Sequence, residues 1–248
     1  MLDRKNSLLF ALKIFAVCLI FSLIILLLCY FSTYISTQDT VVTAMERKAT
    51  QVVIDPGHGG RDGGAVSADG IIEKDLNLKV SFALRDILEI CGVTTVMTRE
   101  KDTLVCDESN PNLKGKIKVT DLKNRLKIGN ENSEALFISI HMNKFPVEKY
   151  SGLQVYYSPN NESGFVNAKS IQEKVISILQ PDNTRKVKKA GNSIFLLSRL
   201  NSPAVLVECG FLSNESEAKK LSDKNYQTQL SLVIADSIIG NLISKGNN

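Results

Sequence analysis

VVIDPGHGG, residues 52–60, is an apolar run that passes through Asp55-Pro56 into a glycine-rich turn carrying His58. A short apolar run closing on Pro and Gly reads as a buried strand, here Gln51 to Ile54, that stops where the turn begins. The chain holds only two histidines in 248 residues, so an imidazole in this turn calls for a reason.

Outward from that stretch, strand and helix signals alternate. A glycine-rich loop runs to Gly70, and then Leu76, Val80, Ala83, Leu84, Ile87 and Leu88 fall at helical spacing before a stop at Cys91-Gly92. Val93 to Met97 reads as a strand, and residues 104–120, with Asn110-Pro111 and Gly115, as irregular. Helices are expected at Asp121 to Ile128, Phe165 to Leu179 and Tyr226 to Ile243, and strands at Ala135 to Ile140, Gly152 to Tyr157 and Ala204 to Val207. This order predicts one α/β domain over residues 51–248, a central mostly parallel or mixed sheet flanked by helices, with no internal repeat and no second domain.

Ahead of that domain, Ile14 to Phe31 is uncharged and apolar, and with Leu8 to Ala11 it is long enough to cross a bilayer as a helix. Arg4, Lys5 and Lys13 precede it, which predicts a cytoplasmic N-terminus and an outward domain. Residues 1–35 thus read as a cytoplasmic N-terminus and membrane anchor. A cleaved signal peptide is the alternative, cut near Ser32-Thr33 or Ser36 with secretion of the rest. A lipoprotein at Cys29 is disfavoured by Leu27 and Leu28 before it. Residues 36–50, polar and rich in Ser and Thr, read as a linker.

The formal charge of +4 splits into +2 for residues 1–35 (Arg4, Lys5 and Lys13 against Asp3) and +2 for the rest, too weak to argue for nucleic acid. Two basic clusters, Lys114 to Lys127 and Arg185 to Lys189, are solvated surface or contacts for an anionic polymer. Cys91, Cys106 and Cys209 outside the apolar segment are odd in number and form no CxxC pair, so neither a disulfide framework nor a cysteine zinc site is indicated.

Polar groups gather at strand ends. His58 follows the first strand, His141 ends LFISIH, and Glu208 ends AVLVE. Ligands of open α/β sheets bind beyond the carboxyl ends of strands, which places these three around one crevice. Glu73 opens the first helix, where the dipole favours a carboxylate and where the His58 loop can fold back upon it. Two histidines and a glutamate form the donor set of a catalytic zinc site, with Glu208 left to move protons. On the residues alone, a structural role for either histidine stays open.

Four blocks in order, VVIDPGHGGRDGGAV, GIIEKDLNLKVSFALRDIL with GVTTVMTREKDT, LFISIHMN and PAVLVECGFLSNESEAKKL, resemble the zinc-dependent N-acetylmuramoyl-L-alanine amidases of bacterial cell walls. The resemblance implies one zinc ion held by His58, Glu73 and His141, with Glu208 as general base and acid. It also implies cleavage of the peptidoglycan amide between the lactyl group of N-acetylmuramic acid and L-alanine. Asp62, Arg125, Asn143 and Asn214 are weaker candidates, equally suited to holding a loop or helix end. The anchor in place of wall-binding repeats, the lysine-rich insert after TREKDT, and SIFLLSRLNSPAVLVE look most like the sporulation subgroup. That implies stripping of peptides from spore-cortex glycan so that a separate deacetylase can complete muramic-δ-lactam, a mark read at germination.

Three other readings remain at this point: a thiol amidase using Cys209, a zinc carboxypeptidase cutting within the stem peptide, and a non-catalytic wall-binding module. Cys209 follows Glu208 along a strand and so points to the opposite face, which suits a core residue better than a nucleophile. A wall hydrolase at a membrane surface also calls for control, so an accessory activator is expected, docking through Lys114 to Lys127 or around Phe145 and Tyr150.

Overall fold

The computed structural model describes residues 13–17, 19–31 and 52–246; the basic flank at Arg4 and Lys5 and the linker at 36–50 lie outside them. Two units are distinguished, one at the N-terminus and one from Thr50 onward. In the first, α1 (Lys13–Phe31) is the one helix among the described residues long and apolar enough to cross a membrane.

The second unit runs β1 (Val52–Pro56), α2 (Glu73–Ile90), β2 (Thr95–Met97), a 3-10 turn (Pro111–Leu113), α3 (Ile117–Glu131), β3 (Leu136–Asn143), β4 (Gln154–Tyr157), α4 (Glu162–Leu179), β5 (Lys188–Lys189), β6 (Ala204–Phe211), α5 (Glu215–Ser222) and α6 (Lys224–Gly246). The strands form one sheet in the order β2-β1-β3-β6-β4-β5. β2, β1, β3 and β6 are mutually parallel, whereas β4 runs antiparallel to β6 and parallel to β5. The expected mixed α/β domain is thus observed.

Strand periodicity divides the core in two. Val52, Ile54, Ile138, Ile140, Val205, Val207 and Cys209 pack against α2, α4 and α6. Val53, Phe137, Ala204 and Leu206 face the other way, toward Leu122 and Leu126 of α3 and the segment holding Leu196, Leu197 and Leu200. With both faces covered, β1 is buried throughout, which is why it reads as an unbroken apolar run.

Several boundaries differ from expectation. α3 begins at Ile117 rather than Asp121, because its buried stripe is Asp121, Arg125 and Gly129, spaced i, i+4, i+8 yet not apolar. α5 was not expected at all: it is short and polar, but Asn214 caps it by accepting from the Glu217 N–H at 3.0 Å. The strand expected from Gly152 begins at Gln154, after Gly152 turns the chain at a φ of 91°.

Topology fixes where a site can form. From β1 the chain crosses to β2 on one side and later to β3 on the other, so the β1/β3 boundary is a switch point. The connections leaving β1 and β3 diverge there and leave a crevice at the carboxyl ends of the strands.

Candidate functional site

The loop after β1 is held by two arginines. Arg125 is buried and donates from Nε to Asp121 (2.8 Å), from one terminal nitrogen to Asp55 (2.6 Å) and the Pro56 carbonyl (2.8 Å), and from the other to the His58 carbonyl (2.7 Å). Arg99 donates to the carbonyls of Pro56 and Gly57, both at 2.9 Å. Asp55 also accepts from Thr98 (2.7 Å) and Ser139 (2.6 Å). Burial opposes its charge, but Arg125, Ser139 and Thr98 outweigh that and hold its carboxyl below the usual range. Burial and the neighbouring Arg125 charge push the Arg99 guanidinium down to about 10.

Held this way, the loop carries His58 in a left-handed conformation at φ 61°, the one positive-φ residue other than glycine among those described. The helix α2 is drawn to the loop through its first turn, whose Glu73 and Lys74 N–H groups donate to the carbonyls of Ala65 (2.9 Å) and Gly63 (3.2 Å). Glu73 returns the contact, its Oε2 accepting from the Ala65 N–H at 2.7 Å. β3 brings His141 to the same place, since Phe137, Ser139 and His141 alternate onto one face of the sheet.

The result is a cluster of three. Oε1 of Glu73 lies 3.2 Å from Nε2 of His58 and 3.0 Å from Nδ1 of His141. One ligand atom from each residue falls within 4.8 Å of the others, so the three could hold a metal ion. The imidazole rings meet edge to face at 5.0 Å. A Cβ on Gly57 would sit 2.2 Å from the His141 ring, so the strand end can pass only as glycine.

Surrounding groups orient the donors. Nδ1 of His58 is 3.0 Å from Asp62, an ion-pair distance without hydrogen-bond alignment. Glu73 Oε1 accepts from the Met142 N–H at 3.1 Å and, at 3.4 Å, from Asn77, which also donates to the Gly57 carbonyl. Burial works against ionised Glu73, but the hydrogen bonds and charges of His141 and His58 prevail and hold its carboxyl well below the usual range. Burial likewise opposes charged His58, yet Glu73 and Asp62 raise its pKa overall.

Glu208 stands opposite His141 in the β3/β6 register. Its residue is half-buried, but Oε2 is shielded from solvent and has no hydrogen-bond partner. Burial pushes its carboxyl up to about 7. Just beyond it the register shifts, two β6 residues opposing Met142 alone, a bulge of the kind found where a strand re-aims side chains.

All four leading residues therefore converge. Among the weaker ones, Asp62 flanks His58, Arg125 braces the loop, Asn214 caps α5, and Asn143 ends β3 with its carbonyl accepting from Leu212 at 2.8 Å. Cys209 is fully buried in the opposite core layer, its thiol pushed above the usual range by burial, which is no setting for a nucleophile. Arg99 and Asn77 were not anticipated; an arginine following a strand gives no sign that it turns back into a loop 42 residues earlier.

Residues 52–240 match the family model described as N-acetylmuramoyl-L-alanine amidase. A germination-specific N-acetylmuramoyl-L-alanine amidase of Bacillus subtilis is 38% identical over 79% of this chain and 81% of its own length. The CwlD amidase of Clostridioides difficile, solved in complex with the GerS lipoprotein, superposes with a TM-score of 0.74 at 37% identity, covering 79% of this chain and 98% of that one. The amidase AmiC2 of Nostoc punctiforme does so with a TM-score of 0.66 at 30% identity over 78% and 97%. Sequence blocks, fold and site thus coincide, and the chain belongs to the N-acetylmuramoyl-L-alanine amidases, enzymes acting on cell-wall peptidoglycan.

Proposed function

We propose that this amidase is zinc-dependent, with His58, Glu73 and His141 as the metal ligands and Glu208 as the catalytic general base and acid. The observation that carries the reading is the buried, unpartnered Oε2 of Glu208 beside a compact His-Glu-His donor set. Nitrogen and carboxylate donors in that number suit a catalytic zinc site with a position left open. When bound, the ion supplies Lewis acidity, polarising the scissile carbonyl and bringing a water molecule's pKa to roughly 7.

The chain's own residues do the rest. Asp62 and Asn77 keep His58 and Glu73 aligned, and Arg99 and Arg125 keep the His58 loop from relaxing. Glu208 takes the proton of the attacking water. It then returns that proton to the nitrogen of L-alanine as the C–N bond breaks.

The biological setting is proposed on the same footing. Likeness to a germination-specific amidase supports action on spore-cortex peptidoglycan ahead of lactam formation. The solved complex of a relative with a lipoprotein supports an accessory partner. The apolar α1 supports a membrane anchor, with residues 1–35 as anchor, 36–50 as linker and 51–248 as catalytic domain outside the cytoplasm.

The test is metal content and product identity on the full chain. One zinc per chain by elemental analysis, and peptides with an L-alanine N-terminus by mass spectrometry of digested peptidoglycan, are the expected results. Peptides cut within the stem would turn the reading to a carboxypeptidase.

A further inference from the structure

At Gln154, the β4 register partner of Glu208, the surface opens into a cavity of about 750 Å³. Its position follows from the sheet: Gln154 of β4 pairs with Glu208 of β6, and Tyr156 of β4 with Lys188 of β5. Register partners share a face, and neighbouring strands lie roughly 4.8 Å apart. Gln154, buried and in the cavity wall, is therefore the next side chain along from Glu208, on the side away from His141. It donates to the Lys186 carbonyl and so ties the wall to the segment before β5.

The cavity is charged. Five cations line it against two carboxylates, and none of the five lies within ion-pair distance of a carboxylate among the described residues. One of the two acids, Glu217, is engaged by the N–H groups of Gly152 and Phe211, both at 2.8 Å. Arg185 is fixed in place: its Nε donates to the Ser151 carbonyl at 2.8 Å, and its guanidinium lies 4.6 Å over the Phe211 ring and 5.7 Å from that of Tyr150. Its terminal nitrogens meet no acceptor among the described residues. A stacked, pre-oriented guanidinium with free donors, flanked by Lys186 and Lys188, is a receptor for carboxylates.

The two arms of an N-acetylmuramoyl peptide differ in this respect. Once the lactyl carboxyl is in amide linkage, the N-acetylated sugar arm is uncharged, whereas the peptide arm keeps free carboxylates. We propose that this cavity binds the carboxylates of the peptide arm and so sets which way the substrate lies across Glu208. The proposal rests on the amidase reading and adds the specificity site to it.

The test is binding, which needs no turnover. Full-length protein in detergent is titrated calorimetrically with L-alanyl-γ-D-glutamyl-L-lysine and with the same peptide carrying amides in place of its carboxylates. The free acid binds about tenfold tighter, the scale of one charged hydrogen bond. Lys188→Gln narrows that difference, and Arg185→Gln with Lys188→Gln abolishes it. Lys127→Gln, an exposed lysine outside the cavity, leaves it intact. Because Arg185 packs on Phe211, thermal melts accompany the double variant, and the exposed Lys188 variant decides alone if the double one fails to fold. Equal affinity for the two peptides, no binding of either at millimolar concentration, a difference untouched by Lys188→Gln, or tighter binding of inorganic phosphate than of the peptide would overturn the proposal. Zinc content and peptidoglycan cleavage are scored separately, so a chain that cleaves but binds both peptides equally loses only the cavity's role.

Discussion

The guanidinium of Arg125 donates to the carbonyl of His58 at 2.7 Å, although the two residues stand 67 apart in sequence. The same side chain neutralises buried Asp55. One residue of α3 thus sets both the conformation of the loop and the charge balance beneath it. Arg125→Ala strands the Asp55 carboxylate and is expected to cost about 3–5 kcal/mol in urea denaturation, together with loss of metal. Arg125→Lys restores the charge without the fork and should fall between. Wild-type stability in the alanine variant would refute the brace.

Glu208→Gln keeps the shape of the side chain and removes its titration. Zinc content should stay at the wild-type level while turnover falls by at least about 10²-fold. Undiminished turnover would take Glu208 out of the mechanism.

The pH profile follows from the same group. Burial holds the Glu208 carboxyl up at about 7, and a bound cation nearby pulls it down, so the metal-loaded enzyme has its acid limb below that value. A general base works only when deprotonated; kcat/KM therefore falls as the pH drops through the limb and levels off above it. The limb should vanish from the residual activity of Glu208→Gln.

Gly57→Ala puts a Cβ 2.2 Å from the His141 ring. The ring or the strand end must move, and the donor set opens with it. Reduced zinc retention on dialysis is expected, with a stability loss on the order of 1–3 kcal/mol from overpacking. Full retention would show that the ring has room to yield.

Chelation should lower the melting temperature as well as abolish activity. His58, Glu73 and His141 come from a loop, a helix and a strand, so an ion held by all three is a tertiary cross-link available only to the folded state. At a free metal concentration a thousand times Kd the stabilisation is about 4 kcal/mol. A melt indifferent to chelator would argue against the three as ligands.

Much of the arrangement was legible because the donors sit where strands end and a helix begins. His141 and Glu208 close apolar runs, and Glu73 stands one residue past Ile72, the first turn of an evident amphipathic helix. The supports were not legible, since each acts across distance. Asp121 and Arg125 look like surface charge within a lysine-rich stretch; Lys118, Lys123 and Lys127 are indeed exposed there, but Arg125 is 2% exposed. The reversal of β4 also left no local mark, because direction depends on how a strand is connected rather than on its residues.

The last strand in sequence, β6, lies in the interior of the sheet, between β3 and β4. A chain still emerging, with β1 and β3 already made, therefore has a gap where its central strand belongs, and β4 and β5 have no partner to carry them. The pairing that closes the sheet is non-local and waits for β6. A C-terminal truncation before Ala204 would not be a smaller enzyme but two fragments of a sheet. A potentially destructive activity is in this way withheld until β6 has been made.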